Sequence, residues 1–234
     1  MDSVIILENI EKTFKLHNNY DLQSESKIHE IKSIDNISMC IKKGTMVGII
    51  GKNGGGKTTL LRLISGVYSP DKGKISIIGK LSPLLQVGVG SNGEYTVKEN
   101  IVFNGLLLGL KKEEILKKIT EILKFAELEQ YESVKMKYLS SGMKIRIMFS
   151  TAMTIDPDIL LIDEIISVGD VSFREKSFKK FLSFKENKKT IILVSHNLPM
   201  IQKLCDEVYA LDKGKIIASG DPKSVIQKYL EYCK

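Results

Sequence analysis

The run Gly51-Lys52-Asn53-Gly54-Gly55-Gly56-Lys57-Thr58-Thr59 is the densest piece of chemistry in the chain. It fits the spacing G-x-x-x-x-G-K-[ST], which binds phosphate when a strand precedes it and a helix follows. Both flanks are present: Val47–Ile50 is an apolar run of strand length, and Lys57-Thr58-Thr59 opens the apolar-periodic helix that continues through Leu60-Leu61-Arg62-Leu63. Glycines at 51, 54 and 56 let the backbone wrap a phosphate at positive φ. The wrapped loop, with Asn53 and Gly55 inside it, turns its N–H groups inward, and the positive end of the helix dipole adds to them. In such a site Lys57 reaches the β- and γ-phosphates and the Thr58 hydroxyl coordinates Mg²⁺. The ligand this predicts is a nucleotide triphosphate.

Two further stretches carry polar groups that suit the same chemistry. Asp158-Ile-Leu-Leu-Ile-Asp163-Glu164 reads as a buried strand ending in two acids. A carboxylate at the C-terminal end of a strand near a phosphate loop is where a Mg²⁺ ligand belongs, so Asp163 is the expected metal residue. Glu164 is then placed to orient and polarise an attacking water. Upstream, Leu139-Ser140-Ser141-Gly142-Met143 leads into the apolar helix IRIMFSTAM. Alone, Ser140-Ser141-Gly142 is a helix N-cap; its hydroxyls and N–H groups also offer a second phosphate-binding surface.

These residues need an α/β scaffold to position them. Residues 4–10 and 34–41 read as strands that precede the phosphate-loop strand, with 16–30 a polar loop or hairpin insertion between them. Ser69–Gly73 is a turn into a short strand at 74–78. Residues 87–155 differ in character: Val87–Gly93 is glycine-rich and hinge-like, and Ile115, Leu116, Ile119, Ile122, Leu123 and Ala126 recur at helical spacing. This is the pattern of a helical insertion. From Ile159 the chain returns to strand and helix, with a helix near 172–186, a strand at 190–195, a hairpin over 208–218 and a closing helix at 225–232.

Composition restricts the classes open to such a chain. Hydrophobic residues make up 43% and charged residues 27% of 234, as in ordinary globular proteins. No apolar run approaches the ~20 residues needed to span a bilayer. MDSVIILENI lacks the basic region and cleavage site of a signal peptide, so none is expected. Cys40, Cys205 and Cys233 have neither metal nor redox spacing and imply a reduced compartment. The net charge of +7 comes from lysines spread among glutamates without interleaved aromatics, which predicts a solvated surface and no direct nucleic-acid binding.

The order of phosphate loop, glutamine, helical insertion, Ser-Ser-Gly, acidic strand and Ser195-His196 resembles the ATP-binding-cassette (ABC) ATPases over essentially the whole chain. The resemblance implies one nucleotide-binding domain over 1–234. Its expected fold is an α/β P-loop NTPase core of the RecA-like type, with an N-terminal antiparallel β subdomain and a helical subdomain inserted at 87–155. It implies ATP and Mg²⁺ as ligands, with Phe14 stacking on adenine (a core role for Phe14 is the alternative) and Gln86 contacting Mg²⁺. Ser140–Gly142 would be the signature turn, Ser167-Val-Gly-Asp170 the dimer-contact loop and His196 the γ-phosphate switch. It also implies a homodimer: each ATP lies between one copy's loop and the other's signature, with Lys57, Glu164 and His196 serving catalysis.

Two departures narrow the resemblance. Ser-Ser-Gly-Met replaces the usual Ser-Gly-Gly-Gln, and Ser-Val-Gly-Asp replaces Ser-Ala-Leu-Asp. Both are similar to the ATPase subunits of bacterial polysaccharide exporters for O-antigen, capsule and teichoic acid, as are Leu84–Asn100 and the tail Gly220–Tyr229. Many members of that group have glutamate at the position of Gln86. The expectation is an ATPase on the cytoplasmic face of the cell membrane, working with an integral membrane permease on a lipid-linked polymer. Since the sequence ends at Lys234, recognition of the polymer is expected to fall to the permease. Export of a drug, lipid or peptide, or a soluble ABC ATPase acting on ribosomes or DNA, are the alternatives.

Overall fold

A computed structural model describes residues 2–17, 28–84, 91–154, 156–163 and 170–234. The chain forms two compact units, one made of 1–78 and 192–234, the other of 79–191.

The first unit joins the two ends of the chain. Strands β1 (Ser3–His17), β2 (Ile28–Lys42) and β4 (Lys72–Ile77) make an antiparallel sheet in the order β2-β1-β4. Ile5 faces Ile41 on one side and Ile77 on the other, and Leu7 faces Met39 and Ile75. These residues alternate toward the interior, where Ile5, Ile10, Ile34 and Ile41 are fully buried. Both β1 and β2 run further than the apolar alternation suggests. Residues 11–17 and 28–33 pair as strands although they read as polar chain, and bulges between Leu7 and Thr13 carry the register across.

The same unit contains β3 (Met46–Gly51), the helix α1 (Lys57–Ile64), the part of β7 (Thr190–Val194) from Ile192 onward, α6 (Leu198–Leu204), β8 (Glu207–Asp212), β9 (Lys215–Gly220) and α7 (Pro222–Tyr232). The strands lie in the order β7-β3-β8-β9. Every residue of β3 is buried, which explains its unbroken apolar sequence. It pairs in parallel with β8, Val47 against Glu207 through Gly51 against Leu211.

The second unit has a parallel pair, β5 (Leu81–Leu84) with β6 (Ile159–Asp163), and in the chain between them the helices α2 (Val97–Leu107), α3 (Lys112–Ala126) and α4 (Ser141–Thr154). Helix α5 (Val171–Glu186) completes it. Ile115, Ile119, Ile122, Leu123 and Ala126 of α3 are buried with Val97, Ile101, Leu139 and Ile147. Leu116 departs from the expected apolar stripe: it is 44% exposed, on the outward side of the helix. A capping box starts α2, with Thr96 Oγ1 accepting from the Glu99 amide and Glu99 Oε2 accepting from the Thr96 amide. The α/β fold with an antiparallel N-terminal sheet and inserted helices is the expected one. Among the described residues no helix is long and apolar enough to cross a membrane.

Candidate functional site

The phosphate loop leaves the buried end of β3 and enters α1 at Lys57. Its conformation is fixed by close backbone packing. Gly51 has φ 155°, and a Cβ there would overlap the Leu211 carbonyl oxygen. Gly56 has φ 101°, and a Cβ would lie 2.7 Å from the Ser33 carbonyl oxygen. Only glycine fits either position without displacing backbone. The Gly56 N-cap position has no side-chain capping bond, so the first turn of α1 presents backbone donors as an anion site needs.

Lys57 is 7% exposed, and its Nζ donates to the carbonyl oxygens of Gly51 (2.8 Å) and Lys52 (2.9 Å). The ammonium is thereby held over the loop rather than extended into solvent. Asn53, Gly54 and Thr58 are exposed, while Gly55 and Gly56 are buried beneath them. Thr59 takes a different role: its Oγ1 accepts from the Ser33 hydroxyl at 2.8 Å, which ties α1 to β2.

Phe14 stands partly exposed on β1, edge-on to Tyr68 with ring centroids 5.3 Å apart. It is not a closed core residue. The guanidinium of Arg62 lies over the Tyr68 ring, and its Nη1 donates to the Tyr68 hydroxyl at 2.9 Å. Tyr68 is thus a member of this aromatic corner that the sequence did not single out. Tyr68 lies beyond the end of α1 and its partner Phe14 is remote in sequence, so no local spacing signals the contact. His196 is exposed just after β7, beside the buried Ser195. The Ser195 hydroxyl accepts from the Asn197 amide and the Asn197 side chain caps α6 at Met200, so the turn holding His196 is firmly built.

In the second unit Asp163 ends β6, partly buried after four fully buried residues. Ser140 is exposed, and its Oγ accepts from the Met143 amide at 3.2 Å, the cap of α4. Ser140, Ser141 and Gly142 line an open groove of about 620 Å³ together with Tyr131, Arg146 and Asp170. Arg146 anchors its floor. It pairs with Asp170, donates to Glu127 at 3.3 Å and lies 4.8 Å from the centre of the Phe173 ring. Asp170 in turn caps α5 by accepting from the Phe173 amide at 2.9 Å. That amide bond, with the Arg146 charge added, holds the Asp170 carboxyl below its ordinary value. Asp170 stands at the end of the expected dimer-contact loop, but its pairing with Arg146 has no local signature, because the two residues are 24 apart.

Lys57, Thr58, Thr59, Phe14 and His196 therefore all belong to the first unit, and Asp163 and Ser140–Gly142 to the second. Gln86, Glu164 and Ser167–Gly169 lie outside the described residues.

A family model for ABC transporters matches residues 34–167. Among curated proteins the chain is 42% identical over 201 residues to the O-antigen export system ATP-binding protein RfbB of Myxococcus xanthus, covering 86% of this chain and 46% of that protein. It is 36% identical over 240 residues to the teichoic acids export ATP-binding protein TagH of Staphylococcus epidermidis, covering 100% of this chain and 90% of that one. The chain spans about half the length of the Myxococcus relative. Among solved structures, a dimeric ATP-binding cassette in a post-hydrolysis state bound to ADP and Pi matches with a TM-score of 0.75 at 24% identity, over 93% of this chain and 98% of that one. With the family match extending over more than half of its length, this chain belongs to the ABC transporter family, and its fold is that of the family's ATPase cassettes.

Proposed function

We propose that the chain is the ATP-hydrolysing subunit of an exporter that moves a lipid-linked polysaccharide or teichoic-acid-type polymer across the cytoplasmic membrane. The observation that carries the nucleotide reading is the phosphate loop, with glycines packed against backbone oxygens and Lys57 drawn over it. The polymer reading rests on relatives named for O-antigen and teichoic acid export. In this reading residues 1–234 form one nucleotide-binding domain with 87–155 as its helical insertion. It works as a homodimer on a membrane permease at the cytoplasmic face.

The residues divide the chemistry among them. Loop amides from Gly51 to Thr59 and the Lys57 ammonium bind the phosphates of ATP and stabilise charge on the group being transferred. The Phe14 ring, braced by Tyr68, offers a stacking surface for adenine. Glu164 orients the attacking water, and His196 reports the presence of the γ-phosphate. Ser140–Gly142 of a second copy close over the same phosphates. Mg²⁺ commonly takes one or two protein oxygens beside phosphate and water, and the Thr58 hydroxyl and the Asp163 carboxylate, with Gln86, suit that set. When bound, it would neutralise charge on the phosphates.

The test is a trap. Glu164→Gln should keep ATP binding while slowing hydrolysis by about 10²–10⁴-fold, the usual reach of general acid–base assistance. The variant is incubated with ATP and Mg²⁺ in native membranes and recovered with whatever it holds. A multi-span permease carrying a lipid-linked glycan or polyol-phosphate polymer is the expected result. Recovery of a permease for drugs, lipids or peptides would remove the polymer reading. Ribosomes or DNA-associated proteins without a permease would remove the transport reading.

A further inference from the structure

Beneath the phosphate loop lies a turn that the proposed chemistry does not use. Residues Asp212-Lys213-Gly214 join β8 to β9, with Lys213 and Gly214 both at positive φ as a two-residue hairpin requires. This turn is the bed on which the loop rests. The Gly214 amide donates to the Gly55 carbonyl oxygen at 3.1 Å, and the Gly214 carbonyl oxygen accepts from the Asp35 amide at 2.9 Å. The Leu211 carbonyl oxygen and the Asp212 Cα fill the space against Gly51 and Gly55 that a side chain would occupy.

Asp212 is 9% exposed, a nearly buried carboxylate beside a loop built for anions. Such a group needs a donor to hold it. The Tyr232 hydroxyl, in the last turn of α7, donates to Asp212 Oδ2 at 3.0 Å. The carboxylate in turn pushes the Tyr232 phenol upward, so the proton stays on the donor.

We propose that Tyr232 is a positioning residue for the phosphate loop: its hydroxyl fixes Asp212, and with it the 212–214 turn that sets the height of Gly55. The route runs from α7 to the loop through one side-chain hydrogen bond and one backbone hydrogen bond, all within the first unit. The inference rests on the nucleotide reading above. It adds that a helix away from the loop sets how tightly the loop grips phosphate.

The test uses the full chain and steady-state ATP hydrolysis. Tyr232→Phe keeps a ring that is 54% exposed and removes only the hydroxyl. Loss of one such bond should raise the KM for ATP by about three- to tenfold. kcat should fall by less than about twofold and Tm by less than about 4 °C. Asp212→Asn, which keeps an acceptor oxygen for the hydroxyl, should have a KM within about twofold of the parent's. A Tyr232→Phe chain with the parent's KM overturns the proposal, as does one that loses Tm and kcat with KM unmoved. A parent chain that neither binds nor hydrolyses ATP would instead sink the nucleotide reading itself.

Discussion

The phosphate loop and the Ser140–Gly142 turn each lead into a helix N-terminus, and the proposed function gives both to phosphate, yet they are held by different means. At the phosphate loop the backbone is locked by other backbone: Leu211, Ser33 and Gly214 press on glycines, and Lys57 is buried over two carbonyl oxygens. At the Ser140–Gly142 turn no described residue presses in this way. Among the described residues the nearest atom to a Cβ placed on Gly142 is the Ser140 Oγ at 4.0 Å; the turn is capped by that hydroxyl, and the groove it lines also holds the ion pairs of Arg146 with Asp170 and Glu127. A site locked by backbone is ready before its ligand arrives. A turn capped by a side-chain hydroxyl at an open groove suits a surface that completes another copy's site.

The difference can be broken most sharply at Gly51. Gly51→Ala forces a Cβ into the Leu211 carbonyl and should cost about 3 kcal/mol or prevent folding, read by chemical denaturation. The middle of the range lies under the signature turn. An Arg146→Ala and Asp170→Ala double-mutant cycle should show a small favourable coupling, because Asp170 is 61% exposed on its side-chain atoms and solvent weakens the pair. Near-zero coupling would mean that Arg146 acts only by packing on Phe173. The same carboxylate makes a pH prediction. Its folded pKa is lowered, so its contribution to stability is present above the ordinary value of 3.8 and is lost as pH falls through the folded value. Asp170→Asn should therefore flatten the stability loss of the acid limb below about pH 4. The smallest effect belongs to Gly142→Ala. Lying in a helix with open space around it, the substitution should leave stability unchanged or raise it by up to about 1 kcal/mol. A loss as large as that of Gly51→Ala would erase the contrast.

How far the chain could be read from its residues follows the same division. The phosphate loop, the buried strand before it and α3 are local patterns, and each stands where its spacing put it. The strand β5 escaped notice because Pro83 interrupts it, which an edge strand tolerates since its partner β6 lies on one side only. Residues 16–30 read as a loop or hairpin insertion, and 16–17 pair with 28–29 as strand ends because sheet pairing is made by backbone and needs no apolar alternation. Tyr68 beside Phe14, Arg146 beside Asp170 and Tyr232 beside Asp212 all depend on contacts between separated stretches. No periodicity reports such pairs.

The first unit is made from the two ends of the chain, and this bears on how the protein is made. The Met46 amide bonds to Asp206, 160 residues onward, and β3 has β8 as a partner only when residues 207–211 exist. At ribosomal rates of about 5–20 residues per second, the strand that carries the phosphate loop waits roughly 10–30 s for that partner. Residues 79–191 form a continuous stretch, and its helices α2 to α4, which end at Thr154, are made about 3–10 s before β8 begins at Glu207. During synthesis these helices are thus able to pack before the strand of the nucleotide loop has gained its β8 partner.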